Sequence, residues 1–209
     1  GYYRLGRAAL SALRAWHTGR EAGHAGSAPP PAVLEALKFF HAVLPRLPPR
    51  RFAFGAREAE LPPIVVYTDA MYEAASEVPA RIGVAYYDPA DAELAPLRGE
   101  EPSLWRHCSA AVPASLIAKL RPRKQQITPL ETLGGIVCYL SRPEQFRGRQ
   151  VIHFIDNTGA LFSMAKGYTR EVDSARLIHA FHSLCAALNT QVWFEYVPSG
   201  ANLADLPSR

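Results

Sequence analysis

The chain has 209 residues, 48% of them hydrophobic, which is enough for one full domain core plus an appendage. Its net charge of +4 is unevenly spread: residues 1–60 carry nine Lys/Arg against four Glu, residues 71–105 two against seven acids, and residues 106–170 ten against three. No run of eighteen apolar residues exists, so a membrane span is not expected, and the basic start GYYRLGRAALSALRAW lacks the apolar core and cleavage site of a secretory signal. Cys108, Cys138 and Cys185 are odd in number and 30 and 47 residues apart, which is neither a disulfide framework nor a zinc pattern. Reduced thiols in an intracellular protein, cytoplasmic or nuclear, are the expectation. The chain begins without Met and reads as a piece of something longer.

In chain order, eight of the eighteen prolines fall within residues 29–63, in APPPA, LPRLPPRR and ELPPIV. Between them, Val33, Leu37, Phe40 and Leu44 form a helical stripe. Residues 1–60 therefore read as a small, basic, helical appendage with a Pro-rich linker, and a compact domain is expected over 61–209.

In that domain residues 64–70, 81–88 and 104–112 read as three strands of an antiparallel meander, followed by a helical turn at 114–120. Residues 127–141 form a helix with Thr128 as N-cap and Pro129 at its first position. Residues 151–157 are a fourth strand, followed by a short helix in TGALFSMAKG. Residues 172–189 make an amphipathic helix, apolar at Leu177, Phe181, Leu184 and Leu188 and capped by Asp173 or Ser174. Residues 191–198 are the fifth strand, and ANLADLPSR opens a last helix.

Four acids stand out. Asp69 follows IVVYT and Asp156 follows VIHFI, each a carboxylate at the end of a buried-type strand, where a rigid backbone meets solvent. Each alone reads equally as a turn or cap residue. Glu131 lies three residues after Thr128 and fits a capping box, and Asp205 reads alone as a surface acid. Of the histidines, His153 reads as a hydrogen-bonded core residue, and His179 and His182 as surface or boundary residues rather than ligands. Trp193 and Phe194 read as core and cover, not as a stacking platform.

Taken together, Thr68-Asp69-Ala70, Glu131 in QQITPLETL, Asp156-Asn157 and the ending Asn202, Ala204, Asp205, Ser208, Arg209 resemble the ribonuclease H domain of retroelement reverse transcriptases, of the long-terminal-repeat or tyrosine-recombinase type. The resemblance covers residues 61–209. It implies an α/β, ribonuclease-H-like fold: a five-stranded mixed sheet, three antiparallel strands then two parallel additions, flanked by helices. Residues 1–60 would then end a polymerase thumb or connection region.

The activity implied is metal-dependent hydrolysis of the RNA strand of RNA/DNA hybrids, with two Mg²⁺ ions and Mn²⁺ as a substitute. By resemblance Asp69 bridges both ions, Glu131 and Asp156 hold the leaving-group ion, and Asp205 holds the ion that activates water. Asn157 and Thr158 would meet the RNA strand, and Arg121, Arg123, Lys124, Lys166 and Arg170 its phosphates. The polymerase domain of the same polyprotein is the expected partner. Two other readings stay open: an inactive tether or nucleic-acid-binding module of the same fold, and a different nuclease or recombinase of the superfamily. The sequence departs from the family in lacking a His near Asp205, where YVPSGAN offers Ser199, and in an acidic stretch at 88–103. The last helix also stops four residues after Asp205.

Overall fold

The structure, a computed structural model, describes residues 4–19, 28–47, 61–94, 105–123 and 126–209, with the backbone alone at 92–94. Five strands, β1 (Ile64–Tyr72), β2 (Ala80–Tyr87), β3 (Arg106–Ala111), β4 (Gln150–Ile155) and β5 (Gln191–Tyr196), form one sheet in the order β3-β2-β1-β4-β5. The first three pair antiparallel and the last two join in parallel, as expected.

Strand β1 is where the sheet gathers its apolar weight. Ile64, Val66 and Thr68 point to the face covered by helix α5 (Ile127–Ser141) and α8 (Val172–Leu188), and all three are buried. Helix α5 lies close because Gly134 and Gly135 face the sheet. A Cβ on Gly135 would come within 2.9 Å of Met164 Cε and 3.3 Å of His153 Cε1. Leu130, Tyr139, Phe146, Ile178 and Phe181 fill the space between the helices and the sheet.

The core carries one polar brace. His153 Nε2 sits 2.9 Å from the Thr68 hydroxyl, and its Nδ1 sits 3.3 Å from the Tyr139 hydroxyl. One imidazole thus ties β4 to β1 and to α5. At the opposite end of the sheet Arg149 grips Asp88 at 2.8 Å and donates to the Pro62 carbonyl, pinning the entry of β1 to the exit of β2.

Several expectations need correction. Helix α5 begins two residues earlier than the capping box requires: its N-cap is Gln126, without a side-chain cap bond, so Pro129 stands third and not first. In α8 the N-cap is Glu171; Asp173 instead accepts from the Arg121 amide and the Arg123 guanidinium, and Ser174 is simply buried. The buried stripe of α8 is Ile178, Phe181, His182, Cys185 and Leu188, so the histidine expected at the surface is inside, with Nε2 donating to the Met164 carbonyl. His179 lies edge-on to Phe39 with ring centres 4.4 Å apart. On β5, Trp193 is 66% exposed and donates to Glu195, neither core nor cover.

The appendage contains α1 (Arg7–His17) and α2 (Pro31–Val43). The buried positions of α2 are Val33, as expected, and Ala36, while Leu37 and Leu44 of the stripe read in the sequence are exposed. The pair packs on α8, and Arg7 donates to the Lys166 carbonyl at the end of α7 (Thr158–Lys166). Within the acidic stretch at 88–103, Pro89–Leu94 is a short helix, α3; residues 95–103 lie outside the described residues. The helical turn expected at 114–120 is the shorter α4, Ala114–Ile117, and α6 (Pro143–Phe146) had no sequence counterpart.

Burial pushes the pKa of His153 down to about 3 and that of His182 down to about 4. Both therefore stay neutral in the folded chain while the unfolded chain protonates them below about pH 6.5. Their contribution to stability is complete above about pH 6.5 and falls as pH drops towards these depressed values. The stability gap between wild type and His153→Gln, read by urea unfolding, should narrow by about 1 kcal/mol per pH unit between pH 6.5 and 4.

Candidate metal and catalytic site

The site begins where the β1–β4 ladder ends. Its last rung is Tyr67–Phe154, and Asp69 and Asp156 each lie two residues beyond it. Only Asp156 ends a strand. Strand β1 runs on to Tyr72 because β2 keeps pairing with it as far as Ala80, so Asp69 is held inside a strand with Gly83 as its cross-strand partner. This splayed corner leaves two backbones rigid and their side chains adjacent.

Helix α5 brings the third acid. With the cap at Gln126, Glu131 is free of any capping box, and it points from the first turns of the helix towards β1. It is 1% exposed. Oxygen atoms of Asp69, Glu131 and Asp156 lie within 4.8 Å of one another. Glu131 Oε2 and Asp156 Oδ1 are buried without a hydrogen-bond partner. The three acids, with Asp205, line one cleft of about 800 Å³.

Asp205 stands apart from this cluster. It opens α9 (Asp205–Ser208), and its two oxygens accept from Arg209 at 2.9 Å each. Ser199 lines the same cleft. Asn157 also lines it and caps α7, its Oδ1 accepting from the Ala160 amide; Thr158 is exposed at the start of that helix.

The basic residues singled out in the sequence divide. Arg121, Lys166 and Arg170 are exposed. Arg123 is engaged, 2.8 Å from Asp173 and 3.6 Å from Glu171. Lys124 lies outside the described residues. Burial first, then the carboxylates of Asp69 and Asp156, push Glu131 up to about 10. Burial also raises Asp69, against the lowering effect of the Ser208 hydroxyl bound to it.

Sequence reasoning gave no role to Ser208 or Asn202, though both stood in the closing motif. Ser208 donates to Asp69 Oδ2, and the Asn202 amide donates to the Thr68 carbonyl at 3.1 Å. Nor did it find the room left by Gly83. Strand pairing would have had to be known to place that glycine opposite Asp69.

No family model matches the chain, and no curated protein matches it. Among solved structures it is similar to the N-terminal RNase H domain of a Mycobacterium tuberculosis protein, solved as a fusion with maltose-binding protein (13% identity, 71% of this chain and 91% of that one, TM-score 0.49). It is similar also to an RNase H from the halophilic archaeon Halobacterium salinarum (11% identity, 70% and 94%, TM-score 0.49). A third is the protease–reverse transcriptase of prototype foamy virus (11% identity, 69% of this chain and 20% of that one, TM-score 0.39). Independently of these overall likenesses, the strand order and directions are those of the ribonuclease-H-like fold.

A carboxyl held protonated in the fold but ionised in the unfolded chain contributes stability below its unfolded pKa and loses it as pH rises towards the folded value. For Glu131 that window runs from about 4.5 to about 10, so at pH 7 the metal-free fold is strained by this one group. Glu131→Gln removes the titration and keeps the shape. It should raise metal-free stability at pH 7 by on the order of 1–3 kcal/mol, measured by urea unfolding in EDTA. The gain should shrink towards pH 5.

Proposed function

We propose that this chain is a metal-dependent endoribonuclease of the ribonuclease H type. It hydrolyses the RNA strand of RNA/DNA hybrids during reverse transcription of a retroelement, beside the polymerase domain of the same polyprotein. One observation carries the reading: three carboxylates from three elements meet within 4.8 Å, and two of their buried oxygens lack any partner. Acids crowded in this way repel one another unless a cation joins them. Among the described residues Arg123 pairs with Asp173 and Arg149 with Asp88, away from the cluster, while Arg209, in the same cleft, pairs with Asp205.

An all-oxygen donor set suits Mg²⁺, with Mn²⁺ as a substitute. Such ions, when bound, make a water more acidic and stabilise the charge on the departing oxygen. Asp69, Glu131, Asp156 and Asp205 are the residues that would hold them. Asp69 brings the least freedom, being fixed inside a paired strand between the other two. Asp205 has to leave Arg209 to take part, and an exposed ion pair of this kind is weakly held.

On the substrate side, Asn157 and Thr158 stand at the cleft and at the start of α7, where an amide and a hydroxyl can read a 2′-hydroxyl as donor and acceptor. Arg121, Lys166 and Arg170 offer sequence-neutral phosphate contacts. Arg123 supports Arg121 indirectly, since Asp173 joins the Arg123 guanidinium to the Arg121 amide. Lys124 extends the same basic run.

The fork between Arg209 and Asp205 favours a second reading, an inactive module of the same fold that binds hybrid without cutting it. A labelled RNA/DNA hybrid with Mg²⁺ separates the two. Cleavage of the RNA strand that falls more than about 100-fold in Asp69→Asn and in Asp156→Asn is expected. Hybrid binding without cleavage by any form would establish the inactive module, and cleavage of duplex DNA instead a different nuclease.

A further inference from the structure

The strand position facing Asp69 is empty of side chain. Asp69 pairs with Gly83 across the β1–β2 ladder, so a side chain at 83 would stand beside the carboxylate on the same face of the sheet. Helix α9 occupies that space instead. A Cβ on Gly83 would fall 2.3 Å from the Ala204 carbonyl and 2.4 Å from the Ser208 amide, contacts with backbone that nothing can relieve without moving the segment. Asn202 fixes how the segment lies, its amide donating to the Thr68 carbonyl and its Oδ1 accepting from the Ala204 amide. The turn so placed carries Ser208, 1% exposed, whose hydroxyl donates to Asp69 Oδ2.

That hydroxyl has a competitor, the Asp205 carbonyl of its own turn at 2.8 Å. An ionised carboxylate is the stronger acceptor, so the bond to Asp69 prevails whenever Asp69 is charged.

We propose that Ser208 is a positioning residue for Asp69, and that Gly83 and Asn202 exist in this arrangement to seat it. The proposal deepens the metal-dependent reading and rests on it. The chemistry favours a hydroxyl over any basic group here. A Lys or Arg in the same place would also orient the carboxylate, but it would neutralise the charge that a divalent cation needs. A neutral donor fixes one oxygen of Asp69 and leaves its charge intact, in the manner of the hydrogen bonds that orient ligating carboxylates elsewhere. The same short turn carries Asp205 three residues before Ser208, so the bond also links the position of the fourth acid to that of the first.

The test uses the 209-residue chain and Mn²⁺ as the probe, titrated by electron paramagnetic resonance and by calorimetry, with thermal unfolding in EDTA as the check on folding. Ser208→Ala should weaken Mn²⁺ binding about tenfold or more. Ser208→Thr, which keeps the hydroxyl, should restore most of the loss. Gly83→Ala leaves every polar group in place but displaces the turn, and it should weaken Mn²⁺ binding in the same way. In hybrid cleavage, Ser208→Ala should need more metal for half-maximal rate, with KM for the hybrid unchanged and kcat recovered at saturating Mn²⁺. Equal Mn²⁺ affinity in wild type and Ser208→Ala would overturn the positioning role while leaving the metal site standing. Equal losses in the Ala and Thr variants would overturn it too, by showing that packing and not the hydroxyl matters. Should Ser208→Ala fail to fold in EDTA, the comparison of Ser208→Thr and Gly83→Ala with wild type decides alone. A wild-type chain that binds no Mn²⁺, with Asp69→Asn behaving identically, would overturn both the positioning role and the metal reading.

Discussion

Everything in this molecule answers to a repulsion. Three carboxylates are held within 4.8 Å, and one of them, Glu131, is almost wholly buried on a helix packed against the sheet. Left to themselves, such groups would move apart or take up protons. They cannot move apart because each is fixed by a different rigid element: Asp69 by a strand paired on through Tyr72, Asp156 by the end of β4, and Glu131 by α5. The fold converts the energy of its apolar core into the crowding of its acids.

The brace that transmits this constraint is the neutral His153. Thr68 precedes Asp69, His153 comes three residues before Asp156, and Tyr139 lies eight residues along the helix from Glu131. One imidazole therefore fixes the relative positions of the three elements that carry the acids. Its neutrality is part of the device. Burial holds the ring neutral at neutral pH, so the brace adds no cation beneath the acidic cluster. The close approach of α5 through Gly134 and Gly135 completes the arrangement, since helix residues flanking a bulkier contact would lift Glu131 away from β1.

Much of this was legible in the chain. The five strands, the antiparallel meander of the first three and the long helices follow from apolar patterning and Pro/Gly punctuation, because the core is written as periodicity, while the parallel addition of the last two strands came from the resemblance. The four acids were named as a set, and three of them meet. What the sequence could not rank was local: the Thr128–Glu131 spacing satisfies a capping box as well as a site, and only the position of the helix start, two residues earlier, decides between them. The stripes of α2 and α8 were read in part, with Val33, Phe181 and Leu188 buried as expected and their neighbours missed for a related reason. Histidine and alanine on their buried faces do not look apolar enough to be counted, as His182 and Ala36 show. Gly83 and Ser208 were invisible because their meaning depends on cross-strand register, a property of two segments together.

Charge is where composition misleads most. The ten basic residues between 106 and 170 suggest a broad polyanion surface, yet four of them are spent inside the protein's own architecture: Arg106 on Asp91, Arg123 on Asp173, Arg147 on Glu144 and Arg149 on Asp88. Arg142 lies over the Tyr86 ring. Among the described residues of this stretch Lys119, Arg121, Lys166 and Arg170 stay exposed, Lys166 beside the Phe162 ring. A binding surface with so few free cations holds a polyanion loosely and with little salt sensitivity, because affinity of this kind grows with the number of phosphates neutralised.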